Sequence, residues 1–201
     1  ATDWRRTLWD GVNVGKITTS NSEPRSIKLT DDSILALVSQ SALYVFTRKQ
    51  SWAFVGDVPN KAVGPIRVAG AKGTLGSFAA TAFNDGALVA TDDGLYYMEL
   101  PPDYAGMSSQ MILHEMTADN RAQWQTLIGA TDAIRAKTVV SHHAQHVWVF
   151  CETRYMHRWP SGKWVYGEWA DSLNVWQAST HPFYGLVLQS DDGDMRVIGD
   201  W

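Results

Sequence analysis

Apolar and polar residues alternate in blocks along this chain, and one arrangement occurs four times. Each copy has an apolar run, a short polar turn and a second apolar run with an aromatic residue in most copies. The copies are residues 34–46, 87–98, 147–157 and 186–197. Short apolar runs separated by turn residues predict β-hairpins. The first two copies align closely, through the tripeptides that start at Ala42 and Gly94.

Further strand-like segments flank each hairpin and could complete a four-stranded blade. They are residues 25–29, 52–56, 77–83, 137–140, 163–169 and 174–179. The hairpins recur at intervals on the order of 40 to 60 residues, which suits the blades of a propeller. The pattern therefore predicts a mostly β, β-propeller-like repeat of about four blades, either complete or incomplete. We expect a single domain over residues 1–201.

A propeller closes its ring, and both ends of the chain contain a candidate closing strand. Residues 7–14 could pair beside residues 195–198. Strands at similar spacing would also suit a β-sandwich or an open sheet, so these architectures stay as alternatives.

One segment departs from the β pattern. Residues 117–128 are rich in helix formers and begin with capping residues, which predicts a short helix inserted near residues 117–129. Its apolar residues fall near one face, and they are Met116, Trp124, Leu127 and Ile128. The helix would either offer a partner contact or cover the edge of a sheet.

Composition and charge exclude several classes of protein. Of the 201 residues 19% are charged, and the net charge is -4, which disfavours binding to nucleic acid or anionic membranes through charge. The longest apolar runs, such as 147–151, fall far short of the roughly 20 residues that cross a bilayer. Cys151 is the only cysteine, so an internal disulfide is excluded. We expect no membrane association.

The densest group of possible metal ligands is the segment 141–146, with His142, His143 and His146. On a single strand His142 and His146 share one face and His143 lies on the other, so only two imidazoles could converge. A zinc site normally needs three or four protein ligands. We therefore predict no metal site, and a polar strand or turn instead.

Carboxylates and glycines cluster in two of the predicted hairpin turns. The carboxylates are Asp92, Asp93, Asp191, Asp192 and Asp194. Aspartate and glycine are favoured in tight turns for backbone reasons, so a turn role is preferred to acid–base chemistry. The chain contains no nucleophile elbow, phosphate loop or dinucleotide fingerprint. We predict a protein that is not an enzyme and that needs no cofactor.

Ten tryptophans are an unusual number for a chain of this length. Exposed indoles stack on sugar rings in propeller lectins, and Trp159, Trp164, Trp169 and Trp176 could do so. Packing within and between blades is the alternative role. We name Trp124, Trp164, Trp169 and Trp176 as candidate contacts to a partner or a glycan.

The order of these signals along the chain carries a family resemblance. The segments are 25–29, 34–38, 42–46, 51–52, 63–66, 86–97, 147–150, Tyr155, 163–164 and 199–201. Over residues 25–201 the chain resembles the propeller part of tail hub or nozzle proteins of short-tailed bacteriophages, a group that includes packaged-DNA stabilisation proteins.

The resemblance implies a structural virion protein, assembled in the host cytoplasm, that acts as a tail hub, nozzle or adaptor. It implies a ring of identical copies that contacts other tail or portal proteins. The ring would seal or conduct DNA without sequence-specific binding. The alternative is a carbohydrate-binding, lectin-like propeller that recognises a cell surface.

Overall fold

The computed structural model describes residues 33–54, 66–67, 73–100 and 111–198. Fifteen strands in this part of the chain form four antiparallel sheets. Sheet 1 consists of β1 (Ile34–Ser39), β2 (Leu43–Thr47), β3 (Ser51–Phe54) and β4 (Ile66–Arg67). Sheet 2 consists of β5 (Ala80–Phe83), β6 (Gly86–Ala90), β7 (Leu95–Glu99) and β8 (Ile112–Glu115).

The second half of the chain repeats this plan. Sheet 3 consists of β9 (Val139–His143), β10 (His146–Cys151), β11 (Arg154–Arg158) and β12 (Trp164–Glu168). Sheet 4 has three described strands, β13 (Val175–His181), β14 (Gly185–Ser190) and β15 (Met195–Ile198). In every sheet the strands neighbour one another in chain order, so each sheet is an antiparallel meander.

The predicted mostly β, propeller-like repeat of about four blades is confirmed, and within the described residues the four sheets do not close into a ring. The first strands of successive sheets contact one another, β1 against β5, β5 against β9 and β9 against β13. The predicted closing segment, residues 7–14, and the flanking segment 25–29 lie outside the described residues. Ring closure through these segments therefore stays a prediction.

The second strand of each sheet carries the true repeat. The six-residue repeat that contains this strand covers residues 42–47, 86–91, 146–151 and 185–190, and three of the four copies end in a hydroxyl side chain. The hydroxyls of Thr47, Thr91 and Ser190 each bond to a backbone carbonyl in the turn that follows, at 3.1, 3.0 and 3.2 Å. Cys151 holds this position in sheet 3.

This repeat shows that the predicted alignment of residues 34–46 with residues 87–98 is wrong by one strand. Ala42 precedes β2, the second strand of sheet 1, whereas Gly94 precedes β7, the third strand of sheet 2. Short apolar strands that flank polar turns look alike at every position of a meander, so composition alone does not distinguish neighbouring hairpins.

Apolar cores fill the three junctions between successive sheets. Tyr44 and Phe46 of sheet 1 pack with Val89 and Met98 of sheet 2. Both faces of the middle sheets are covered in this way, which explains why β6 and β10 are apolar at nearly every position rather than at alternate ones. Burying each large side chain stabilises the fold by about 1.5–3 kcal/mol.

The inserted helix is present and belongs to the core. A 3₁₀ turn (Ala118–Asn120) leads into α1 (Arg121–Ile128), and a short second helix, α2 (Asp132–Arg135), follows. Trp124, Leu127 and Ile128 are fully buried with side chains of sheets 2 and 3. The indole of Trp124 donates a hydrogen bond to the carbonyl oxygen of Thr91 at 3.1 Å. The helix is therefore a structural part of the junction between these sheets.

Candidate interaction surfaces

The outer face of sheet 4, on the side away from sheet 3, is partly apolar and open to solvent. The outer face of sheet 4 consists of Gln177, Ser179, Val187, Gln189, Met195 and Val197, which share one side through the strand register. Met195 is 75% exposed and Val197 is 53% exposed. The opposite side carries the buried Leu186 and Leu188, which pack against sheet 3.

The outer face of sheet 1, on the side away from sheet 2, is also partly open. The outer face of sheet 1 consists of Leu37, Leu43, Val45, Trp52 and Phe54. Leu37 is 61% exposed, and Leu43 is exposed as well, whereas Val45 and Phe54 are buried. The indole Nε1 of Trp52 is buried and has no hydrogen-bond partner in the part of the chain that the structure describes.

The candidate tryptophans do not form one site. Trp124 is fully buried in the core, so its prediction as a partner or glycan contact is wrong. Trp164 is partly buried and donates from its indole to the carbonyl oxygen of Met116 at 2.9 Å. Trp169 packs on the ring of Tyr155, with centroids 4.8 Å apart. Trp176 is 52% exposed and meets Phe78 edge to face, so it alone of the four is placed for a contact.

The turns between the first and second strands lie in a row at one end of the sheets. The side-chain amide of Gln40 donates to the carbonyl of Asn84, and that of Gln145 donates to the side-chain oxygen of Asn84 at 3.2 Å. The hydroxyl of Thr180 donates to the carbonyl of His142, which joins sheet 4 to this row. We call these linked residues, Gln40, Asn84, His142, Gln145 and Thr180, the turn row.

Two aromatic side chains project at the sheet 4 end of the turn row. Phe183 is 86% exposed, and Tyr184 is exposed and stacks on His181 with ring centroids 4.7 Å apart. The sequence analysis missed this pair because it considered only tryptophans as candidate contacts. The signal was available, since an aromatic pair between Pro182 and Gly185 lies between the predicted strand segments 174–179 and 186–197, where turn residues indicate a reversal of the chain.

The histidine cluster adopts a different geometry from the predicted one. Residues 141–146 form the end of β9, a two-residue turn and the start of β10, so His143 pairs across the hairpin with His146. The assumption of a single continuous strand was wrong, because Ala144 and Gln145 both have positive φ and reverse the chain. Among the described residues no group of three or more His, Cys, Asp or Glu could hold a metal ion.

The clustered carboxylates have the predicted turn role. The hydroxyl of Thr91 donates to the side chain of Asp93 at 2.6 Å, and that of Ser190 donates to Asp192. The bond from Ser190 lowers the pKa of the Asp192 carboxyl. The bond from the backbone amide of Asp194 lowers that pKa further, by a smaller amount. These groups stabilise turns and do not converge on a common point.

A polar cavity of about 200 Å³ lies at the opposite end of sheets 1 and 2 from the turn row. Four of its charged lining residues pair with one another, Arg48 with Asp132 at 3.1 Å and Arg135 with Asp92 at 3.3 Å. Lys49 also lines the cavity, so the lining carries three cationic and two acidic side chains.

In the described part of the chain, no helix has the length and apolar character that a membrane crossing requires.

Comparison with known proteins supports the fold and leaves the function open. No family model matches the sequence, and no curated protein matches it. The computationally designed Ika4 protein is similar in structure, with a TM-score of 0.53 at 13% identity over 88% of this chain and 96% of that chain.

Two natural proteins match with lower scores. PorZ, a surface component of the type-IX secretion system of Porphyromonas gingivalis, gives a TM-score of 0.43 at 10% identity, and the match covers 89% of this chain and 23% of PorZ. The hemopexin fold protein CP4 from cow pea gives 0.38 at 12% identity, over 82% of this chain and 93% of CP4. At these levels neither match informs function.

Proposed function

We propose that this chain is a structural subunit of a bacteriophage tail, a hub, nozzle or adaptor that assembles with itself into a ring. The observation that carries the proposal is that the described sheets form an open series whose two end sheets both expose apolar side chains. Exposed apolar patches on a soluble protein mark surfaces that other protein surfaces cover. The tail setting itself comes from the sequence resemblance over residues 25–201.

The charge of the chain supports the role of the ring. A ring that seals or conducts DNA should not grip phosphates, and the net charge of -4 offers no attraction to them. We expect contacts to other tail or portal proteins and no sequence-specific contact to DNA.

Electron microscopy of the purified protein, alone and with candidate portal proteins, tests the proposal. We expect ring-shaped particles that add to the end of a portal. Solitary globular particles that join no larger assembly, at any concentration up to the solubility limit, would contradict it.

A second function, carbohydrate binding, is supported by the turn row. Sugar-binding surfaces combine aromatic platforms with amide and hydroxyl groups, and the exposed Phe183 and Tyr184 lie at the same end of the sheets as the bonded pair Gln145 and Asn84. A glycan array is the test, with Tyr184→Ala as the variant and Tyr166→Ala, an exposed tyrosine on β12, as the control. Glycan signals lost in the first variant alone would favour this function over the tail proposal.

A further inference from the structure

Sheet 4 is attached to the rest of the described structure through one of its two faces. On the inner face Leu186 and Leu188 pack in one core with Trp148 and Phe150 of sheet 3. The outer face is partly open, and Met195 on it is 75% exposed. Sheet 3, by contrast, also packs on sheet 2 and α1 through its opposite face. Breaking a single junction therefore frees sheet 4, and a unit held in this way can open while its neighbours stay folded.

A pair of histidines lies on the side of sheet 3 that faces sheet 4. His146 and His157 share this side with Trp148 through the strand register. His157 is buried face to face on Trp148, with ring centroids 3.7 Å apart, and its Nε2 lies 2.8 Å from Nδ1 of His146. The ring of Trp159 contacts both imidazoles, with centroids at 5.2 and 4.8 Å. The histidine pair therefore covers the tryptophan on which sheet 4 packs.

The two faces that meet at this junction offer no negative charge to a protonated pair. The other titratable groups on this side of sheet 3 are His143, opposite His146, and Tyr155. The charged group on the inner side of sheet 4 is Arg196, which pairs with Asp171. By strand register, none of the described strand residues on either face is an aspartate or a glutamate. Two protonated imidazoles would therefore repel each other without a carboxylate on these faces to compensate them.

We propose that protonation of both His146 and His157 releases sheet 4 from sheet 3 while sheets 1, 2 and 3 stay folded. The second proton breaks the bond between the rings, because each of the two facing nitrogens is then a donor and neither can accept. The charged ring of His157 leaves its buried position on Trp148, since an unpaired buried charge is strongly disfavoured. The opening uncovers Leu186 and Leu188, so in acid the molecule gains an apolar surface. It goes beyond the proposed function and does not depend on it.

The expected pH range follows from the burial of His157. Burial, and then the charge of His146, lowers the pKa of His157 in the closed junction from 6.5 to about 4. Burial, and then the charge of His143, also lowers the pKa of His146. The open state binds these protons at higher pH, so the closed junction is fully stable above about pH 6.5 and weakens as the pH falls towards 4. The equilibrium constant for opening should rise about 30-fold between pH 6.5 and pH 4.5.

Hydrogen exchange of the native protein, read by mass spectrometry, follows several sheets at once. A released sheet 4 has neither face covered, and three strands without a covered apolar face do not stay folded alone, so their amides lose protection. Exchange rates at each pH are divided by those of the unfolded chain at the same pH. We expect protection in β14 to fall about 30-fold from pH 6.5 to pH 4.5, and protection in β6 and β10 to change by less than about threefold.

Two variants connect the loss of protection to the histidine pair. His157→Gln removes the buried ionisable ring and should reduce the fall in β14 about tenfold. His146→Gln changes the more exposed partner, so it serves where the buried substitution prevents folding. It should reduce the fall about threefold, because a glutamine oxygen can accept a bond from a protonated His157. His114→Gln, which changes an exposed histidine paired with Glu99 on sheet 2, is the control and should keep the full fall.

Three results would overturn the inference. Equal loss of protection in β6, β10 and β14 would show that acid unfolds the whole protein rather than one sheet. Unchanged protection of β14 at pH 4.5 would show that the closed junction accepts both protons. A full loss of protection in both histidine variants would assign the acid response to other groups.

Discussion

His146 and His157 stack with ring centroids 5.0 Å apart, and Nδ1 of His146 lies 2.8 Å from Nε2 of His157. A hydrogen bond between two imidazole nitrogens needs one donor and one acceptor, so the pair cannot carry a proton on both of these nitrogens. His157 is also buried face to face on Trp148, with centroids 3.7 Å apart. The contact therefore requires that at least one ring stays neutral.

We expect acid to destabilise the protein through this pair. Burial, and then the charge of His146, lowers the pKa of His157 from 6.5 to about 4. The unfolded chain binds a proton near pH 6.5 that the folded chain binds only near pH 4. Stability is therefore full above about pH 6.5 and falls as the pH drops towards 4, by on the order of 3 kcal/mol.

Urea unfolding across this pH range measures the effect. His157→Gln should flatten the pH dependence, while His114→Gln, which changes an exposed histidine paired with Glu99, should keep it. Burial also lowers the pKa of His142 and His146, so some slope of the same sign should remain in the His157 variant. An unchanged slope would show that His157 does not govern the acid response.

Truncation of Trp124 should destabilise the fold far more than truncation of Trp176. Trp124→Ala opens a cavity in the core and removes the hydrogen bond to Thr91, for an expected loss of about 3–5 kcal/mol. Trp176 is half exposed, so Trp176→Ala should cost less than about 1 kcal/mol. Chemical denaturation of both variants measures this difference, and equal losses would contradict the burial of Trp124.

Gly167 should tolerate no side chain while Tyr155 lies against it. A Cβ atom at Gly167 would come 2.5 Å from the ring of Tyr155 on the neighbouring strand. Gly167→Ala should therefore cost about 1–3 kcal/mol through overpacking. In a Tyr155→Ala background the same change should cost almost nothing, and a double-mutant cycle of unfolding free energies measures the difference.

The hydroxyl at the end of the second strand should matter equally in sheets 1 and 2. Thr91 Oγ1 accepts from the amide of Gly94 at 3.3 Å, and Thr47 Oγ1 accepts from the amide of Gln50 at 3.0 Å. Thr91→Val and Thr47→Val should each lose about 1–2 kcal/mol, because buried backbone amides lose their acceptor. Thr126→Val on an exposed helix position is the control in thermal unfolding, and a similar loss there would contradict the turn role.

Much of the fold could be predicted because its strands are short, apolar and separated by turn residues. The hairpin around Asp92 and Gly94 is an example, since its turn chemistry is local in the sequence. Turn chemistry does not show whether a hairpin joins the first and second strands of a sheet or the second and third. That position is fixed by contacts between neighbouring sheets, which are distant in sequence. Leu37 lies on an outer face because its neighbours Ala36 and Val38 pack in the core shared with sheet 2, whereas Leu37 is 61% exposed.

The candidate surfaces were harder to predict than the strands. Exposure of an aromatic residue depends on packing between sheets, so sequence does not separate the buried Trp124 from the open Trp176. The single-strand geometry assumed for the histidines was wrong, because Ala144 and Gln145 reverse the chain although they are unusual residues for a turn with two positive φ angles. The predicted polar strand or turn is present at this segment. The resemblance to phage tail proteins and the alternative of glycan binding both stay predictions that the proposed experiments decide.

The thiol of Cys151 can be used to measure the rate at which the sheets around it separate. Cys151 lies in the core between sheets 2 and 3, and burial raises the pKa of its thiol. A maleimide or disulfide reagent can then modify it only after those sheets separate. The rate of modification at saturating reagent equals the rate of opening, so one natural side chain reports how often neighbouring blades part.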